Sequence, residues 1–275
     1  MSHEVPYLLP GILSDGSNFQ ALGFDTDACM DYAAYDPECF NVYDIVHDLA
    51  GVIKNDLETG VTAALVGASL GGMLIPFVVQ QLRVIMPASS LSEVRCIIID
   101  APFGVESMIA AGCSPLAGRL IRSPIGQLLR PLASIKVGPK DQCIEIPDAD
   151  MMRAIAGDDI TDEMMTEDGW RAYVRRRAIA ELGGHASQQW LEQLRWMTRV
   201  GHDGSLYRAC KSLKGVNTTY LACLGPGNDV VKQPHAMVQW QRNVPGLHVV
   251  EKNVVHCGFL QQAPTFRGAL AEILG

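Results

Sequence analysis

Short unbroken apolar runs alternate along the chain with longer stretches in which apolar residues recur every three or four positions. The runs Val5–Leu9, Val61–Val66, Val94–Ile99, Thr218–Leu224 and Leu247–Val250 have the length and the β-branched content of strands buried on both faces. Between them, Tyr43–Leu57 carries Ile45, Leu49, Val52, Ile53 and Leu57 as a helical stripe. Leu70–Leu82, Gln233–Asn243 and Phe259–Leu274 also read as helices. Pro76 should kink the helix over Leu70–Leu82 or mark an irregular start. Cys29–Tyr35 is a weaker strand candidate. Strand and helix in alternation predict an α/β fold, with a mainly parallel sheet flanked by helices.

The alternation stops between about Phe103 and Leu213, where only helical patterns are found. Ser114-Pro115 and Ser123-Pro124 each resemble an N-cap followed by proline in the first turn. Ser187 is placed to cap a helix bearing Trp190, Leu191, Leu194 and Met197. The expected division is a core of residues 1–103 and 214–275, with an all-helical cap over 104–213 inserted after the strand ending near Asp100.

Composition narrows the function classes. The chain has 275 residues, 48% hydrophobic and 19% charged, enough to bury a core. A net charge of -8 argues against nucleic acid or an anionic membrane as partner. No apolar run reaches the length of a membrane span. The eight cysteines form no CxxC pair, and Cys96 and Cys223 lie in apolar runs. A reduced, cytoplasmic protein with no metal or organic cofactor is the expectation, and a homo-oligomer is left open.

One segment carries chemistry. Gly67-Ala68-Ser69-Leu70-Gly71-Gly72 follows a buried strand and opens a helix, in the pattern G-x-S-x-G. A sharp strand-to-helix reversal lifts a serine hydroxyl clear of the sheet, and glycine on either side removes the collisions that side chains would make. A dinucleotide loop would need glycine at the place of Ser69. The serine needs a base, and His256 follows the last strand in Asn253-Val254-Val255-His256. A third group must orient the imidazole. Asp229, in the Gly/Pro-rich loop after the strand ending at Leu224, is preferred, and Asp100, which also ends a buried strand, is its rival.

The chain order Ser69, Asp229, His256, each after a strand, resembles the α/β-hydrolase superfamily, in its serine esterase-like branch with a helical cap. The resemblance covers nearly the whole chain outside the insertion. It implies a nucleophile elbow at Ser69 and an oxyanion hole made by the backbone N–H groups of Ile12 and Leu70. Leu9-Pro10-Gly11-Ile12 stands where that superfamily carries its oxyanion loop, with Pro10-Gly11 replacing the common His-Gly. With a short N-terminal segment, the antiparallel strands that often begin this fold are expected to be missing.

Together these features point to cleavage of a carboxylic ester, thioester or lactone through an acyl-enzyme on Ser69. The same triad also serves C–C bond hydrolases, and the same scaffold serves lyases, cyclases and ligand receptors. The expected partner is a small molecule with an apolar acyl or aromatic group. Trp170, Trp190, Trp196 and Met151 are candidates to line its pocket, and they fit equally well as the cap's own core.

Overall fold

The computed structural model describes residues 4–11, 16–32, 42–103, 107, 143–183, 193, 196–197, 199–201, 203–225, 231, 233–256 and 258–275. Five strands form one sheet: β1 (Glu4–Leu9), β2 (Thr62–Ala68), β3 (Val94–Ile99), β4 (Asn217–Cys223) and β5 (His248–Lys252). They lie side by side in chain order, and every pairing is parallel. Parallel neighbours need a crossover each time. Helices lie in them, among them α1 (Ser17–Ala21), α2 (Val42–Glu58), α3 (Leu70–Ile85) and α7 (His235–Asn243), and α8 (Ala263–Leu274) follows the last strand.

Alternation of side chains along each strand divides the core in two. Leu65, Cys96, Ile98, Tyr220 and Ala222 face α2, α3 and Trp240 of α7. Leu8, Val66, Ile97, Ile99, Leu221 and Val250 face α1 and α8, where Phe259 packs on Phe19 and Phe266. The central strands are therefore covered on both sides, which explains why they read as continuous apolar runs. Pro76 does not end α3. That helix is buried over most of its length, and its packing outweighs the lost backbone bond. The Cys29–Tyr35 candidate contributes a single bridge, Leu8 to Cys29, and residues 33–35 lie outside the described residues.

Among the described residues of 104–213 there are helices and no strand: α4 (Ala149–Ala156), α5 (Glu167–Gly183) and α6 (Ser205–Cys210), with further helical residues at 193, 196–197 and 199–201. The two serine-proline caps and Ser187 lie outside the described residues. Asp148 caps α4 by accepting from the Met151 N–H at 2.8 Å. Met152, Ile155, Trp170 and Val174 make a third cluster with Ala21, Leu260 and Ala263. By contrast, Trp196, Met197, Val200 and Leu206 join the core around α3. No helix among the described residues is long and apolar enough to cross a membrane.

Candidate active site

The C-terminal ends of β2 and β3 carry two non-glycine residues with positive φ, the only ones among the described residues: Ser69 at 50° and Asp100 at 45°. Such backbone costs about 1–3 kcal/mol and persists only where its surroundings enforce it. Enforcement is visible at both. The Ser69 N–H donates to the Ile99 carbonyl at 2.9 Å, and the Asp100 N–H donates to the Leu221 carbonyl at 2.8 Å. Each bond carries the sheet ladder one residue past the strand end, so the two turns sit side by side.

The glycines around Ser69 are required by close approach. A Cβ on Gly67 would lie 2.5 Å from the Gly71 backbone, and one on Gly71 would lie 1.9 Å from the Leu9 carbonyl oxygen. The helix start is thus pressed against both β2 and the end of β1. Ser69 is buried, and α3 begins at Leu70. Leu70, one of the two expected oxyanion donors, therefore sits at the helix N-terminus, where N–H groups lack intrahelical acceptors.

Ile12, the other expected donor, lies outside the described residues; Pro10 and Gly11, which precede it, are described. A Cβ on Gly11 would come 3.4 Å from the Ser69 Cβ, so the segment leaving β1 runs beside the serine. The buried Tyr32 hydroxyl donates to the Pro10 carbonyl at 3.1 Å. Burial, with a lesser contribution from Cys29, pushes that phenol well above its ordinary pKa and keeps its proton in place.

His256 follows β5, and its Nδ1 lies 2.6 Å from Asp100 Oδ2. A carboxylate only accepts, so Nδ1 carries the proton and Nε2 is the basic nitrogen of the neutral ring. Asp100 is fully buried. Its Oδ1 accepts from the Gln233 side-chain amide and, at 3.4 Å, from the Cys223 N–H. The His256 loop is tied down on its other side, where the Val255 N–H donates to Gln262 Oε1 at 2.7 Å. From the insertion, Glu145 accepts from the Thr265 hydroxyl at 2.6 Å and its N–H at 3.1 Å, which secures the first turn of α8.

Asp229, the acid preferred from chain order, lies outside the described residues. The loop that leads to it starts against the His256 segment, with the Gly225 N–H donating to the Val254 carbonyl at 2.8 Å. The pocket candidates are dispersed. Trp170 is buried against Tyr173 in the α4–α5 cluster, with Met151 packed at its edge. Trp196 stacks edge-on to Phe77 of α3. Both indoles serve packing here, and Trp190 lies outside the described residues. Sequence reasoning missed Tyr32, Gln233 and Tyr220. Each is a polar residue in or beside an apolar stretch, a pattern that also fits ordinary core residues. Among the described residues no group of three or more His, Cys, Asp or Glu is arranged to hold a metal.

No protein-family model and no curated protein matches the chain. Solved structures do. MenH from S. aureus superposes with a TM-score of 0.62 at 15% identity, over 100% of this chain and 94% of that one. An esterase from Exiguobacterium antarcticum gives 0.59 at 14%, over 100% and 92%. An enol-lactonase from Burkholderia xenovorans gives 0.58 at 14%, again over 100% and 92%. At such identities the likeness establishes architecture, and that architecture is the α/β-hydrolase fold.

Proposed function

We propose that this chain, which has the α/β-hydrolase fold, is a serine hydrolase that cleaves a carboxylic ester, thioester or lactone of a small molecule. The observation that carries the reading is the bond from His256 Nδ1 to the buried Asp100 carboxylate, formed one strand away from the strained Ser69 turn. It sets the imidazole in the tautomer that can take a serine proton.

In this reading Ser69 attacks the acyl carbonyl while His256 Nε2 removes its proton. The developing oxyanion is held by the Leu70 and Ile12 N–H groups, a contribution typically worth about 3–4 kcal/mol per donor. The imidazolium is stabilised by Asp100 and returns its proton to the leaving group. Water, deprotonated by His256, then clears the acyl-enzyme. Asp100 takes the role that chain order assigned to Asp229, because it is the carboxylate that meets the imidazole among the described residues. The buried cluster of α4 and α5 against Leu260 and Ala263 supports a cap seated beside the histidine loop.

The test is labelling with a fluorophosphonate, read by intact mass and adduct mapping. The expected result is one adduct on Ser69, absent from Ser69→Ala and His256→Ala, with the fold of both variants retained. A folded wild-type protein that takes no adduct would overturn the hydrolase reading in favour of a ligand receptor or another non-hydrolytic use of the scaffold.

A further inference from the structure

We infer that Gln233 is a positioning residue for the His256–Asp100 pair, acting through the carboxylate oxygen that the histidine does not use. The inference rests on the triad reading above and adds a fourth member to it.

The geometry allows the amide one orientation. Gln233 Nε2 donates to Asp100 Oδ1 and, at 2.7 Å, to the Tyr220 hydroxyl. Tyr220 spends its own proton on the Ala101 carbonyl at 3.0 Å, so it can only accept from the amide. On the far side, Gln233 Oε1 accepts from the Met237 N–H at 3.3 Å, in the first turn of α7. A flipped amide would turn its oxygen toward a carboxylate and its NH2 toward an N–H, losing every one of these bonds. Donors on one side and an acceptor on the other therefore fix the group without reference to the histidine.

The platform beneath is equally defined. Trp240 donates from its indole nitrogen to the same Ala101 carbonyl at 2.8 Å, and its ring stacks on Tyr220 at 5.9 Å. The residue after Asp100 is thus clamped by two aromatic donors, while the Asp100 side chain is clamped by Gln233. Rotation of the carboxylate about its terminal bond is the freedom that would misdirect Oδ2, and holding Oδ1 removes it.

Two consequences follow. The positive end of the amide dipole lies against the carboxylate that His256 contacts, and so opposes a positive charge on His256. Removing it while keeping the side-chain length, as in Gln233→Met, should raise the pH at which the His256 ring titrates. The orientation of the imidazole should also loosen, which slows proton removal from Ser69 even where the ring is neutral.

The experiment follows the His256 ring by NMR in wild type and Gln233→Met, with the signal assigned by its loss in His256→Gln. Fluorophosphonate labelling of Ser69 is timed at a pH where the ring is neutral in both. The expected result is a midpoint raised by about half a pH unit or more, with labelling slowed about tenfold or more. An unchanged midpoint and an unchanged labelling rate in a folded variant would overturn the assignment and leave Gln233 a packing residue. Gln233→Leu carries the same expectation should the methionine variant fail to fold. Absence of labelling in wild type would sink the hydrolase reading alone, because the titration still decides what Gln233 does to His256.

Discussion

The turns at Ser69 and Asp100 lie side by side at the ends of adjacent strands, and both hold a buried polar residue at positive φ. They achieve it differently. Ser69 is forced by contact, since α3 starts at the next residue and presses glycines against β1 and β2. Asp100 opens no such helix. It is held by its own hydrogen bonds, by Tyr220 and Trp240 on the next carbonyl, and by Gln233 on the side chain. One turn is built from missing side chains and the other from added polar ones. The first kind leaves a motif within six residues. The second scatters its parts over positions 100, 220, 233 and 240.

The largest effect that can break this pairing is on the acid. Asp100→Asn keeps the side-chain shape and tolerates positive φ. It should lower the rate of Ser69 labelling by about 10³–10⁴-fold. Asp229→Asn, made in parallel, should change it less than about tenfold. A reversal of those two results would move the acid to the loop after β4. Next in size is the contact-forced turn. Gly71→Ala puts a methyl into the Leu9 carbonyl and should cost about 3 kcal/mol or more in urea unfolding. A cost under 1 kcal/mol would show that the α3 start can give way. The smallest effect tests strain directly. Ser69→Gly removes the hydroxyl and should raise stability by about 1 kcal/mol, because glycine occupies that backbone without penalty. No gain would mean that the turn at Ser69 is not strained.

Much of the fold was legible because it depends on local chemistry. All five strands occur where apolar runs predicted them, within a few residues of their expected ends. Ser69 was legible from its glycines, which answer to neighbours within a few residues and to the first strand. His256 could be singled out as the candidate base because it follows the last strand, before the closing helix. The carboxylate beside His256 was not legible in the same way. Asp100 and Asp229 each end a strand or follow one, and Asp100 meets the imidazole through the lateral order β3-β4-β5 and the path of the chain after β5, while Asp229 lies outside the described residues. The tryptophans show the same limit. Trp170 and Trp196 have the spacing of pocket or core equally, and packing against Tyr173 and Phe77 assigns them to cores.

Sequence alone therefore determined the alternation of strand and helix, the serine turn and the candidate base, because hydrophobic periodicity and glycine sterics act over a few residues. Tertiary structure alone decided that His256 is held by Asp100 and that Gln233 stands behind it. Hydrogen bonds between residues more than 130 positions apart depend on which strand ends the folded sheet brings together.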